Sequence, residues 1–346
     1  MKKYLINIII FISLSLSTEI NGNGTTAANF LEIDVGSAPT AMGGAYVSLA
    51  NDVSSSYWNP AGLAYINNRQ VFFMYQPWIL DISSVYSGVA LNFKDYGTLA
   101  FTMNYMGYGD EAVTTVDNPE GTGEYYSANE FAASVSYGKR MVDWFAFGAS
   151  FKYISSNIWH MNASAMALDF GVLVTTKFFS PTNKRSQGMK IGMSISNYGT
   201  RLRYDGIDIM VPIDPSPVFG NFDDVEGLYK MAEWELPLIF RLGFSVQPIY
   251  TKKFRVLFAV DALHPNNNNE SVNVGTQIER IIPGKASFFV RAGYKGLFLK
   301  DSEYGLTYGA GLRFYLSDFN FFDIDYTHKT LGILGDIHLY TFKFSF

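Results

Sequence analysis

From Arg69 to its last residue, the chain alternates apolar and polar side chains in segments of about ten residues separated by turn residues. The segments 236–247, 270–279 and 284–295 show this most clearly. Successive side chains of a β-strand point to opposite faces, so the alternation predicts strands with one apolar face. About fourteen strands are predicted, beginning near residues 69, 83, 97, 130, 144, 165, 188, 236, 252, 270, 284, 302, 319 and 335.

The direction of the apolar face decides the fold, because it points inward in a soluble β-sandwich and toward lipid in a membrane barrel. The connections help to separate these two folds. The long connections 108–129 and 198–235 follow odd-numbered strands, whereas tight turns such as 94–96 and 250–251 follow even-numbered ones, and 179–187 departs from this rule. Outer-membrane barrels have an even number of strands and sort their loops in this way. We therefore predict an all-β, transmembrane antiparallel barrel.

The first residues are typical of a secretory signal peptide. Lys2 and Lys3 precede an apolar run over 4–16, and Ser15 and Ser17 offer a small-residue cleavage site. The run is shorter than the roughly twenty residues that a spanning helix needs. We predict that residues 1–17 are cleaved and that the mature chain reaches the outer membrane of a diderm bacterium.

The last predicted strand carries aromatic residues at every second position, ending on Phe346. Edge strands of soluble sheets usually carry blocking charges instead. This ending resembles the signal that outer-membrane barrels present to their insertion machinery. Outer-membrane lipid and that machinery are therefore expected partners.

Composition excludes several classes of function. The chain has no cysteine, so disulfide scaffolds, thiol nucleophiles and thiolate metal sites are unavailable. Its formal charge is −5 at pH 7, which does not suggest a nucleic-acid partner.

The stretch 35–66 is the part of the chain that does not fit the strand pattern, because it is rich in Ala, Gly and Ser. Asn59 can accept at a helix N-cap and Pro60 fits the first helical position, so two short helical turns joined by a tight link are predicted. The order of residues resembles the N-terminal hatch of the PorV/PorQ family, relatives of the FadL-type outer-membrane barrels. The motif residues are Met42, Gly43, Gly44, Ala45, Trp58, Asn59, Pro60, Ala61 and Gly62.

This resemblance implies a barrel over residues 67–346 whose lumen holds a plug formed within residues 18–66. It also implies one of two functions. A PorV/PorQ protein would be an accessory of type IX secretion that receives secreted cargo and helps pass it to surface attachment. A FadL relative would instead be a passive transporter of hydrophobic small molecules such as long-chain fatty acids. Neither function is enzymatic.

We predict no catalytic residue, no metal and no cofactor. No nucleophile elbow, phosphate loop or dinucleotide motif is present. His328, Asp336 and His338 could meet across the last hairpin, but a solvated polar rim explains them better than a metal site. The acidic connection 198–235 lacks the residue order of a calcium loop and is expected to be a hydrated external loop.

The residues predicted to face the lumen differ between the two halves of the barrel. Those of the earlier strands are small, including Gly88, Ala90, Ala100, Ala132, Ala146 and Gly148. A plug of small residues needs close approach to pack at protein density, so we expect the hatch to lie against the earlier strands. The later strands carry charges that must pair or stay wet, and we expect partly paired, wet clusters beside an open path. These residues are Arg241, Arg255, Asp261, Glu279, Arg291, Arg313, Asp323, Asp325 and Lys343.

Overall fold

The structure is a computed structural model that describes residues 22, 24–214, 225–300, 302–317 and 320–346. The predicted signal peptide lies outside the described residues. Within those described ranges, no helix is both long and apolar enough to cross a bilayer.

Seventeen strands lie among the described residues, and they are numbered β1 to β17 in chain order. Fourteen of them form the barrel wall. Seven precede the longest connection and form what we call the early wall: β1 Gln70–Pro77, β2 Ser83–Asn92, β3 Thr98–Ala112, β4 Tyr125–Val142, β5 Phe145–Ile158, β6 Met161–Thr175 and β7 Lys190–Gly199. Seven follow it and form the late wall: β11 Ile239–Tyr250, β12 Phe254–Pro265, β13 Ser271–Ile282, β14 Ala286–Leu297, β15 Leu306–Tyr315, β16 Phe321–Thr330 and β17 Asp336–Ser345.

The wall strands close into a barrel. Each strand pairs antiparallel with its neighbours in sequence, β7 pairs with β11, and β1 pairs with β17 from Gln70 opposite Ser345 to Tyr75 opposite Tyr340. Closure leaves no unpaired sheet edge, which is what a bilayer core requires of a β-structure. The predicted all-β barrel of fourteen strands is confirmed.

The two ends of the barrel differ in loop length. The connections 143–144, 251–253 and 283–285 lie at the end where the wall begins and finishes, whereas 113–124 and 200–238 lie at the opposite end. The connection 176–189 remains the exception among the short turns. The described part of the long connection 200–238 contains three short strands, β8 Asp205–Gly206, β9 Met210–Ile213 and β10 Val225–Leu228, of which β8 pairs with β6. In outer-membrane barrels the long loops are external.

The strand register places apolar side chains outward, as the alternation predicts. On β14, Val290 is 60% exposed whereas its neighbour Phe289 is 7% exposed and faces the lumen. A one-residue slip would reverse both faces, so this contrast fixes the register. The same outer surface carries Phe240, Leu242, Val274, Ile278, Phe288, Phe342 and Phe344.

Residues 29–66 lie inside the barrel. They form helices at Ser37–Ala41 and Ser55–Trp58 and 3-10 helices at Asn29–Glu32 and Pro60–Tyr65. The prediction of two helical turns in the stretch 35–66 therefore undercounts, because the Pro60 turn is separate from the turn that ends at Trp58. We call residues 34–66, which are this stretch together with Asp34, the hatch. Further 3-10 helices lie in connections, at Lys94–Tyr96, Arg185–Gln187, Ile207–Ile209 and Gly332–Leu334.

Candidate functional site: the hatch and the lumen

The hatch contacts both walls of the barrel. Its last 3-10 helix, Pro60–Tyr65, packs against β3 to β6, whereas its first helix, Ser37–Ala41, packs against β14 to β17. The expectation that the hatch lies against the earlier strands alone is therefore wrong. The late wall also lets the hatch backbone come close to the wall backbone, because glycines alternate with charged residues on its inward face.

Inward glycines at similar depth surround the hatch, and we call six of them the glycine collar. Gly148 lies opposite Gly171, Gly192 opposite Gly243, and Gly275 opposite Gly293 in the strand register. A Cβ atom at any of the six would overlap atoms of the hatch or, at Gly243, the carboxylate of Asp261. The hatch backbone therefore packs directly on the wall backbone, which no other residue type permits.

The motif residues of the hatch form its interior. Met42 and Ala45 are fully buried, and the Trp58 indole N–H donates to the Val35 carbonyl at 2.8 Å. Gly43 has φ +68, and a Cβ there would lie 2.7 Å from the Tyr294 carbonyl oxygen. Among the remaining motif glycines, Gly44 also has a positive φ and Gly62 abuts Ala50.

Asn59 joins three parts of the molecule. Its side-chain oxygen accepts from the Ala61 N–H at 3.1 Å, which is the predicted cap of the Pro60 turn. Its side-chain nitrogen donates to the carbonyls of Val47 at 2.9 Å and Val172 at 3.0 Å. The cap is confirmed, and the two further bonds tie the hatch to itself and to β6.

Asn59→Ala is expected to lower the free energy of unfolding by about 2–3 kcal/mol, more than the roughly 1 kcal/mol of a helix cap alone. The additional loss comes from the carbonyls of Val47 and Val172, which lose their side-chain donor. Thermal unfolding of the purified barrel measures it, with Asn118→Ala in an exposed loop as the matched control. Equal melting of the two variants would contradict this role for Asn59.

Threonines of the late wall hold the first helix of the hatch. The Ser37 N–H donates to Thr341 Oγ1 at 2.9 Å, and Thr327 Oγ1 donates to the Ser37 carbonyl at 2.6 Å. Thr307 accepts from the Gly43 N–H at 3.0 Å and donates to the Ala41 carbonyl at 3.1 Å. These bonds satisfy backbone groups at both ends of a helix that is too short to satisfy them itself.

Asp261 binds the hatch backbone rather than an arginine. Its Oδ2 accepts from the N–H groups of Tyr46 at 2.7 Å and Val47 at 2.8 Å, and Asp261 is fully buried. Arg241, which we expected among the partners of such carboxylates, instead donates to Ser196 and lies over the rings of Tyr57 and Trp58.

Two hatch aspartates form ion pairs with the late wall. Asp34 accepts from Lys295 Nζ at 2.7 Å and from Lys329 Nζ at 3.1 Å. Burial alone would raise the pKa of Asp34, but the two ammonium groups outweigh it and hold that pKa below its usual range. Asp52 pairs with Lys343 at 3.0 Å. The hatch is thus held by charge as well as by close packing.

Other lumenal charges pair along the strand register. Arg313 donates two bonds of 2.7 Å to Asp323, which lies directly opposite on β16, and Lys343 approaches the same carboxylate at 3.0 Å. Arg255 and Glu279 are also directly opposite and lie 3.3 Å apart. The partly paired clusters that the sequence predicts are present.

Arg291 and Asp325 form a 2.5 Å ion pair that spans an intervening strand. Gly311 of β15 lies between them, and a Cβ there would come within 2.7 Å of the guanidinium. Both side chains are buried, with 7% and 6% exposed. This pair is therefore shielded from water, contrary to the expectation of wet clusters.

Cavities lie on both sides of the hatch beside the late wall. Toward the long loops, Glu32, Asp34, Arg241 and Lys295 line a space of about 80 Å³. Toward the short turns, Arg255, Glu279, Arg291 and Lys343 border one of about 190 Å³. Charged groups thus border both spaces, although Ile239, Leu263 and Leu299 also line the first of them, and the hatch lies between the two.

His328, Asp336 and His338 meet on the outer surface near the long-loop end, as the sequence suggested. His328 Nε2 lies 3.5 Å from Asp336 Oδ2, and the two imidazole rings are 5.3 Å apart. His338 Nδ1 instead lies 2.8 Å from the hydroxyl of Tyr326. Among the residues that the structure describes, no three His, Cys, Asp or Glu side chains are arranged to hold a metal ion.

The closed barrel, its lipid-facing outer surface and its loop asymmetry define an outer-membrane β-barrel with a plug segment in the lumen. Residues 17–216 match the sequence profile of the family described as type IX secretion system protein PorV. The chain belongs to this family. The matched region contains the hatch and the whole early wall. A search of curated protein sequences found no matching relative.

Several solved structures share this fold. The CymD monoaromatic hydrocarbon channel shares 12% identity at a TM-score of 0.57, covering 91% of this chain and 98% of that one. The toluene transporters TodX of Pseudomonas putida and TbuX of Ralstonia pickettii each share 10% identity, at TM-scores of 0.56 and 0.53, covering 90% of this chain and 98% of theirs. At these identities the similarity establishes the fold alone.

Proposed function

We propose that this protein is an accessory barrel of type IX secretion that receives secreted proteins at the outer membrane and helps pass them to surface attachment. The match of residues 17–216 to the PorV family carries this proposal. It is a binding role without catalysis, and no residue of the lumen is assigned to a reaction. The aromatic last strand would serve as the signal for barrel insertion, and the signal peptide would direct export.

The lumen supports a role that does not depend on conduction. The hatch is fixed to both walls through the glycine collar, Asp261 and the pairs of Asp34 and Asp52. Moving it would break several buried contacts at once. A barrel that presents its outer surfaces and loops to partner proteins fits such a fixed plug.

Passive transport of hydrophobic small molecules is the second candidate, and the shared fold with hydrocarbon channels favours it. The charges that line the cavities beside the late wall count against an apolar path there. Mass spectrometry of the gently extracted protein separates the candidates, because a transporter of this kind should retain a lipid or another hydrophobic molecule.

Deletion of the gene in the native bacterium tests the proposal. Proteins that normally become attached to the surface should then accumulate in the periplasm or remain unattached, and the full-length gene should restore attachment. Uptake of toluene and of a long-chain fatty acid is measured in the same strain. Normal surface attachment with reduced uptake would overturn the secretion role in favour of transport.

A further inference from the structure

A third cavity, of about 590 Å³, lies at the long-loop end of the early wall. Its volume is in the range of small-molecule and side-chain binding pockets. It is lined by the inward faces of β3, β4 and β5 beyond the hatch, by the connection between β1 and β2, and by Tyr204 of the long connection. We call it the external pocket.

The lining of the external pocket combines aromatic rings with carboxylates. Tyr108, Tyr126 and Tyr204 border it together with Glu111 and Glu130. Asp81 adds a third carboxylate, and Ile82, Ala128 and Ile158 supply apolar surface. Among the described residues that line the pocket, none is Lys, Arg or His.

A bulge in β3 produces this lining. The register between β3 and β4 shifts after Gly107, so that Glu111 rather than Asp110 lies opposite Tyr126 and faces the pocket. At the floor, the Tyr108 hydroxyl donates to Glu130 at 2.5 Å, and the hydroxyls of Ser156 and Tyr204 lie 2.6 Å apart. The rings and the carboxylate are therefore held in place before any ligand arrives.

The negative charge extends beyond the pocket. No Lys or Arg occurs between residues 95 and 138, whereas the external part of this segment carries Asp110, Glu111, Asp117, Glu120, Glu124 and Glu130. Arg203 of the long connection is already paired, with the Glu233 carboxylate at 3.5 Å. A field of one sign around a cleft attracts ligands of the opposite sign and concentrates them there.

We propose that the external pocket binds a lysine or arginine side chain of an extracellular polypeptide segment. Aromatic faces and carboxylates together recognise an ammonium or guanidinium group, and the apolar surface accepts the alkyl stem that carries it. A calcium or magnesium ion fits less well, because it requires six or more oxygen ligands rather than rings. The acidic surface beyond the pocket favours a chain with several positive charges over a single small cation.

This inference goes beyond the proposed secretion role and is tested without it. The probe is a fluorescein-labelled octapeptide with two lysines among apolar residues, and its twin carries norleucine in place of both lysines. Binding to the purified full-length protein in detergent micelles is followed by fluorescence anisotropy. The lysine peptide should bind at least about tenfold more tightly than the norleucine twin, since charge-assisted bonds to a carboxylate are lost.

Variants then locate the binding site. Glu111→Gln and Glu130→Gln should each weaken binding of the lysine peptide by about tenfold. Glu124→Gln makes the same change of charge in the exposed loop outside the pocket lining, and its effect should stay within about twofold because surface charges are screened. Resistance of the unheated barrel to unfolding during electrophoresis confirms that each variant is folded.

Three results would overturn the proposal. Equal binding of the norleucine twin would make the pocket a site for apolar ligands. An equal loss in Glu124→Gln would mean that general attraction to the acidic loops, rather than the pocket, holds the peptide. Binding of calcium that is abolished by Glu130→Gln and that excludes the peptide would assign the pocket to a metal ion.

Discussion

Gly148→Leu is expected to displace the hatch from the early wall and to lower the free energy of unfolding by at least about 3 kcal/mol. Even a methyl group at this position would overlap the backbone of Pro60 and Ala61. These are backbone atoms in a turn whose cap, Asn59, is bonded to β6. The obstacle cannot rotate away as a flexible side chain could, so the turn must move.

Displacement of the turn should have three measurable consequences. The melting temperature should fall, a protease should gain access to residues 35–66, and conductance through single barrels in a planar bilayer should rise. Gly305→Leu is the matched control, because a Cβ at Gly305 would meet no atom within 4 Å. If Gly148→Leu matches the wild-type protein in all three measurements, the close packing at the collar does not hold the hatch.

The strand content and register could be predicted from the sequence because a two-residue period leaves few alternatives. Predicted starts at 83, 270 and 335 lie within one residue of β2, β13 and β17. The prediction was weakest at β4, which begins at Tyr125 rather than near 130, since its first residues, YYSANE, do not alternate apolar and polar side chains.

Several ion pairs between lumenal residues could also be predicted from the sequence. Arg313 and Asp323, like Arg255 and Glu279, lie directly opposite each other once neighbouring strands are in register. The Arg291–Asp325 pair could not be predicted in this way, because it crosses β15 at Gly311. That glycine has no side chain to signal its role, and only the three-strand geometry reveals it.

The position of the hatch could not be derived from wall composition. Charges on the late strands suggested an open path, yet Gly243 and Gly293 stand two residues from Arg241 and Arg291 on the same inward face. Alternate inward positions of the late wall therefore carry either a charged side chain or a glycine on which the hatch backbone can pack. The contacts of Asp34 and Asp261 depend on the path of the hatch through the lumen, which no local period encodes.

Asp34→Ala is expected to lower the free energy of unfolding by about 3–5 kcal/mol, because it leaves the ammonium groups of Lys295 and Lys329 without their carboxylate. The side chain of Lys329 is 3% exposed and that of Lys295 is 12% exposed, so water cannot readily replace the lost partner. An exposed pair behaves differently. Glu235→Ala, which breaks the pair with Arg201, should cost no more than about 1 kcal/mol, since both side chains are more than half exposed.

A double variant separates loss of charge pairing from loss of packing. Adding Lys329→Met to Asp34→Ala removes the more deeply buried cation and keeps most of its volume, so part of the stability should return. Chemical unfolding of all three variants gives the free energies, and protease access to the hatch reports where the barrel loosens. A double variant no more stable than Asp34→Ala would mean that Asp34 acts through its packing and not through its charge, and the ionic attachment of the hatch at this site would have to be abandoned.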